Sequence, residues 1–229
     1  AATALRAHAA RPFDPATPPL VRLALVELAP RTHLVVLVLH HAIADRLTVE
    51  VLTGELAEAY RAAVTGAEPD LPELAVQYGD YAAWQRRHLD GPQSAAQLTH
   101  WRAALAGLPV LDLPTDRPRP RRQTYPGATR RATLPAPLVR ALHDWSAGAG
   151  STLFMALLTG YQLLLARHSG QHDFAVGSPV DSRTQPELEP VIGYLTNNLV
   201  LRADLTGAPS GDELLSRVRD LSLIHISEP

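Results

Sequence analysis

At 229 residues, with 46% hydrophobic and 19% charged positions, the chain is long enough for one large domain or two small lobes and apolar enough to bury a core. A formal net charge of -2 and a pI of about 6.6 give no global attraction to nucleic acid or to an anionic membrane. Cysteine is absent, which removes thiol nucleophiles, disulfides and thiolate metal sites, and no apolar run reaches the ~18 residues of a membrane span, so a soluble, cytoplasmic protein is the expectation.

The chain opens on Ala1, not methionine, directly in a helical pattern that runs to Ala10 and stops at Arg11-Pro12, so a piece of a longer protein is expected. Leu23 to Leu28 and Thr32 to Leu39 read as two strands of a hairpin joined across Ala29-Pro30-Arg31. The second of these, a β-branched and leucine run, reads as a buried strand. From Asp45 the apolar period changes: Val49, Leu52, Leu56, Ala59, Tyr60 and Ala63 recur at three- and four-residue steps, the pattern of an amphipathic helix with Asp45 as its N-cap. His40 and His41 therefore occupy a turn between a strand and a helix. Adjacent residues at a strand end point to opposite faces, so the two cannot readily serve one metal ion; one should face a cavity and the other the interior. Taken alone, a His-His pair in a turn is an ordinary structural feature.

A polar loop from Gly66 to Pro72 leads to a helix containing Tyr78, Tyr81 and Trp84 and ending near Leu89, its aromatics spaced as core residues usually are. A second helix spans Ser94 to Leu105. Leu111 to Pro120 is proline-rich and extended, and six arginines between Arg117 and Arg131 fit either an anion site or a solvated linker face. Thr129 to Leu134 reads as a strand and Pro135 to Ala147 as a helix; Ser151-Thr152 caps an apolar helix from Leu153 to Arg167. His172 to Val180 and Leu199 to Arg202 read as strands and Asp212 to Asp220 as a helix. Gly177-Ser178-Pro179 lacks the second glycine of a nucleophile elbow, which excludes the α/β-hydrolase reading.

The segment Leu39-His40-His41-Ala42-Ile43-Ala44-Asp45 resembles the His-His-x-x-x-Asp-Gly signature of nonribosomal peptide synthetase condensation domains and their chloramphenicol acetyltransferase-like relatives, with Arg46 standing where the family has glycine. Pro12-Phe13-Asp14 with Pro19-Leu20-Val21-Arg22 is similar to the family segment that precedes this motif. Tyr78-Gly79-Asp80-Tyr81-Ala82-Ala83-Trp84 resembles its Tyr-x-Asp-Tyr-Ala-x-Trp signature, Leu111 to Pro120 its inter-lobe linker, and Ile192 to Asn198 its Ile-Gly-x-x-x-Asn-Thr segment.

The resemblance implies an α/β fold of the α+β type: a chloramphenicol acetyltransferase-like two-lobed sandwich, with the lobes forming a V and the histidine motif at their junction. On it, residues 1–110 are the C-terminal part of an incomplete first lobe, 111–125 the linker and 126–220 most of the second lobe. Residues 221–229 leave the family pattern and resemble the translation of a sequencing adapter, so they are expected to be artefactual and His225 to be no site. With its first lobe incomplete, the chain made alone is expected to aggregate and to be inactive.

The resemblance also implies amide bond formation between a donor acyl or aminoacyl thioester and an acceptor aminoacyl group. Both are carried on the phosphopantetheine arms of donor and acceptor carrier proteins, with an adenylation domain adjacent; no cofactor or metal is bound directly. His41 is then the catalytic residue, as base or hydrogen-bond donor, and His40 holds the turn. Asp45 is structural, paired with an arginine that lies upstream of Ala1 or is replaced by Arg22. Asn197 supports the site, while Arg46 brings a side chain and a cation to a position where a positive φ or a close approach would favour glycine. The alternatives are an epimerisation domain using the same motif and a degenerate module that docks a carrier or tailoring enzyme. Heterocyclisation domains, which carry aspartates for the histidines, and free-standing acyltransferases fit less well.

Overall fold

The computed structural model describes residues 2–125 and 127–227. Helix α1 (Ala2–Ala10) leads into an antiparallel hairpin of β1 (Val21–Ala29) and β2 (Thr32–Leu39), in register from Val21 opposite Leu39 to Glu27 opposite His33, with an irregularity between Glu27 and Ala29. A single 3-10 turn, His41–Ile43, joins β2 to α2 (Arg46–Thr65). Asp45 is the N-cap of α2, and Gly66 closes it in the left-handed conformation (φ 68°) that a glycine adopts without a Cβ penalty. Helices α3 (Tyr78–Leu89) and α4 (Pro92–Ala104) follow, then α5 (Ala136–Gly148), α6 (Leu153–Ser169), β3 (Asp173–Asp181), β4 (Thr196–Asp204) and α7 (Gly211–Ser227). Strands β3 and β4 pair with each other. The flanking bonds Ser182 N to Leu195 O and Leu205 N to His172 O run in opposite order, so this pair too is antiparallel.

The chain folds as two compact units that are not consecutive stretches: residues 1–96 with 180–197, and 97–179 with 198–229. In the second unit, α6 turns Met155, Ala156, Leu158, Leu165 and Ala166 toward Phe174 of β3, Leu201 and Ala203 of β4, and Leu214, Leu215 and Val218 of α7. Thr152 caps α6, as the Ser-Thr pair predicts. The start of the proline-rich segment is tied to the end of α6, since Gln171 accepts from Asp112 N and donates to Val110 O. The six arginines from Arg117 to Arg131 are all exposed. In the first unit, Tyr81 of α3 packs with Leu188, Val191 and Leu195, residues supplied by the returning segment 180–197.

Several expectations are corrected. Strand β2 is exposed along its first half and only half-buried toward His40, because it belongs to a two-stranded hairpin. Its partner β1 leaves Leu23 and Leu25 59% and 64% exposed. The expected core face of α2 is likewise open at Val49, Leu56 and Tyr60, and its buried residues are Thr48 and Ala62; periodicity defined a stripe that no described element covers. Thr129 to Leu134 forms no strand, since a strand exists only where a neighbour completes its ladder. Tyr81 is buried as a core aromatic should be, whereas Trp84 is 46% exposed.

Candidate active site

The hairpin and α2 fix the two ends of the histidine turn. His40 has an extended backbone (φ -73°, ψ 133°), its amide donates to Leu20 O at 3.0 Å, and its Nδ1 accepts from Ala42 N at 3.1 Å. An amide N–H can only donate, so His40 Nδ1 carries a lone pair. His41 is the reverse: its Nδ1 lies 2.6 Å from Ala44 O, and a carbonyl can only accept, so Nδ1 carries the proton. In its neutral form the His41 imidazole then has its lone pair on Nε2. Two neighbouring histidines thus hold opposite tautomers, each set by one backbone contact. The His40 ring is half-buried, 6.0 Å from that of Phe13, while His41 is exposed with its ring 5.3 Å from that of Tyr194 at 74°.

Beneath this turn lies a buried ionic clamp. Asp45 is 4% exposed. Its Oδ1 accepts from Thr48 N at 2.9 Å and its Oδ2 from Leu195 N at 2.9 Å. Arg183 completes the cage with Nη1 at 2.8 Å from Oδ2 and Nη2 at 3.2 Å from Oδ1, a forked pair. The same guanidinium donates to Asp181 Oδ1 at 2.8 Å and to Val191 O at 3.0 Å. Burial pushes the Asp45 carboxyl up, but the bonds from Arg183, Thr48 and Leu195 outweigh it and hold the group well below the ordinary carboxylate range. Arg183 responds reciprocally: burial opposes its charge, and the two aspartates raise its pKa.

Thr48, fully buried, reinforces the cage by donating to Gly193 O at 2.7 Å and accepting from Gly193 N at 3.0 Å. The Tyr78 ring fills the space that a Cβ on Gly193 would need, and the Tyr78 hydroxyl donates to Tyr194 O at 3.1 Å. The segment from Gly193 to Leu195 is therefore pinned from two helices, by Asp45 and Thr48 at the start of α2 and by Tyr78 of α3.

The partner of Asp45 is a correction to the sequence reading. It lies neither upstream of Ala1 nor at Arg22, whose guanidinium sits 3.8 Å from the centre of the Phe13 ring and donates to Arg11 O and Pro12 O. It is Arg183, which the sequence reading passed over; the signal available was Asp181-Ser182-Arg183, charged residues closing an apolar strand. Thr48, Tyr78 and Tyr194 were also missed in this role.

Arg46 proves free of the strain considered for it. It begins α2, Ala208 is the non-glycine residue with positive φ among the described residues, and the Arg46 side chain, 77% exposed, pairs with Glu50 one turn along. Asn197 is exposed at the second position of β4, next to Thr196, whose hydroxyl reaches Asp45 Oδ2 at 3.4 Å. A cavity of about 320 Å³ lined by Tyr81, Trp84, Arg87, Thr184 and Leu188 includes neither histidine. Among the described residues no group of three His, Asp or Glu side chains could hold a metal ion, and no single helix is long and apolar enough to cross a membrane.

A family model described as the condensation domain matches residues 1–225. The chain belongs to the condensation-domain family. Similar sequences include a component of the linear gramicidin synthase of Brevibacillus parabrevis, 45% identical over 95% of this chain, and the phosphinothricin tripeptide synthetase of Streptomyces viridochromogenes, 43% identical over 96%. The chain spans only 3% and 20% of those proteins. Among solved structures, the X-domain from teicoplanin biosynthesis, determined in complex with OxyB, is 28% identical with a TM-score of 0.86, over 99% of this chain and 51% of that one. The fold is accordingly the α/β, chloramphenicol acetyltransferase-like fold of condensation domains, of which this chain spans about half.

Proposed function

We propose that this chain carries the reactive turn of a nonribosomal peptide synthetase condensation domain, and that His41 manages the proton as the amide bond forms. The α-amine of an acceptor aminoacyl group attacks the carbonyl carbon of a donor thioester. The C–N bond forms, the C–S bond breaks, the amine proton passes to His41 Nε2, and the departing pantetheine sulfur takes a proton to leave as a thiol. A thioester is already activated, so alignment of the two reactants and one base are the whole requirement: orientation supplies up to about 7–11 kcal/mol, and a positioned base a factor of about 10² to 10⁴.

The observation that carries this reading is the His41 tautomer. The Ala44 carbonyl holds the proton on Nδ1 and leaves Nε2 as the acceptor, on an exposed ring. In this reading His40, Asp45 and Arg183 hold the turn, Asn197 lies at its edge, and Arg46 is tolerated. The partners are donor and acceptor carrier proteins presenting phosphopantetheine-bound substrates, beside an adenylation domain in the same cytoplasmic synthetase.

The test is condensation by the complete domain with both carriers loaded, comparing His41→Ala with the parent. A fall of about 10² to 10⁴ in kcat is expected. A likeness to an X-domain solved with OxyB favours a second reading, a docking module without chemistry; carrier binding with no product from either protein would establish that reading instead. Product from one loaded carrier alone, with inverted α-carbon, would mark an epimerisation domain.

A further inference from the structure

We infer that Tyr194 is a positioning residue for His41, fixing the plane of its imidazole and hence the direction of Nε2; the inference rests on the proton-accepting role proposed for that histidine. The bond from Nδ1 to Ala44 O restrains one atom of the ring. An exposed imidazole held at one atom can still tilt about that contact, and a second contact on another part of the ring is needed to define its plane. The Tyr194 ring supplies it, 5.3 Å away and at 74°, the edge-to-face arrangement that aromatic quadrupoles favour.

The mounting of Tyr194 explains why this contact is rigid. Its neighbours Gly193 and Leu195 are tied to Thr48 and Asp45, and its own carbonyl to the Tyr78 hydroxyl. Asp45 does double duty here. Four residues after His41 it caps α2 through Thr48 N, and by its other oxygen it grips Leu195 N. One buried carboxylate therefore sets the backbone on both sides of the ring pair, so the imidazole and the tyrosine are referenced to the same point. The contact joins residues 153 positions apart in sequence (194 minus 41), on a turn and a loop that share no other ring contact among the described residues.

The experiment uses the complete condensation domain with its loaded carriers and compares Tyr194→Leu with Tyr194→Phe. Rates are read as kcat and acceptor KM, and 15N signals of His41 report its tautomer and titration. Tyr194→Leu is expected to lower kcat about 10- to 100-fold, up to the sensitivity of catalysis to a misplacement of about 1 Å, with KM changed less than about twofold, as for an interaction used in the transition state. Its His41 signals should shift as the ring loses its fixed plane. Tyr194→Phe, which keeps the ring, should retain the parent's kcat and His41 signals.

Unchanged kcat and unchanged His41 signals in Tyr194→Leu would overturn the inference, as would a loss in Tyr194→Phe equal to that in Tyr194→Leu. If Tyr194→Leu does not fold, Tyr194→Met removes the same ring and is judged by the same readings. Displaced His41 signals in a domain whose rate survives His41→Ala would leave the positioning intact and remove the catalytic reading, so the two failures are distinct.

Discussion

Replacing Arg183 by methionine would keep most of the side chain's volume and delete its charge, leaving the Asp45 carboxylate in a site where its side chain is 2% exposed. Thr48 N and Leu195 N would still donate to it, but neither is a counter-charge. Removing one partner of a buried ion pair typically costs about 3–5 kcal/mol, because the survivor must be protonated or hydrated. The pH dependence follows from the direction of the Asp45 shift. Its native pKa lies below the ordinary 3.8, so its contribution is fully present above that value and is lost as pH falls through the depressed native one. In Arg183→Met burial prevails and the carboxyl moves up instead. The stability gap between parent and variant should therefore be widest at pH 7 and narrow as the pH approaches 4 and below. Urea melts of the complete domain at pH 7, 5 and 4 would measure it, with Asp45→Asn added to Arg183→Met to recover part of the loss. A gap smaller than about 1 kcal/mol at pH 7, or one that widens in acid, would refute the assignment of Arg183 as the charge that holds this turn.

Gly193→Ala should drive the Tyr78 ring from its seat, at a cost of about 1–3 kcal/mol of overpacking; equilibrium unfolding checks this, and Tyr78→Ala in the same chain should relieve most of it. Arg46→Gly should change stability by less than about 1 kcal/mol, since it removes an exposed pair with Glu50 and places glycine at a helix start. The same variant should condense at the parent's rate; a large gain would mean that the arginine obstructs the site.

The hairpin, the Asp45 and Thr152 caps and the histidine turn were legible because each is written in a few consecutive residues: alternation, a carboxylate or hydroxyl before an apolar period, a β-branched run that ends. The clamp was not. Asp45 and Arg183 are separated by 138 positions, and nothing in either neighbourhood names the other. Val49, Leu56 and Tyr60 show a different boundary. Their spacing places them on one helix face, but spacing says nothing about what covers that face. The backbone strain considered at Arg46 is absent for a local reason, since a first-turn position with right-handed backbone accepts any side chain that can turn outward.

The sequence distance across the clamp also sets a clock. At a synthesis rate of about 5–20 residues per second, Arg183 leaves the ribosome some 7 to 28 s after Asp45. During that interval β1, β2 and α2 can assemble from neighbouring residues, but the carboxylate that ends the histidine turn waits without its counter-charge, and Thr48 without Gly193. The histidine turn is thus among the last parts of its unit to be fixed, completed only when the chain returns through residues 180–197. A nascent protein arrested before that return would hold both histidines with their local backbone contacts, but without Arg183, Tyr194 and Leu195 around them.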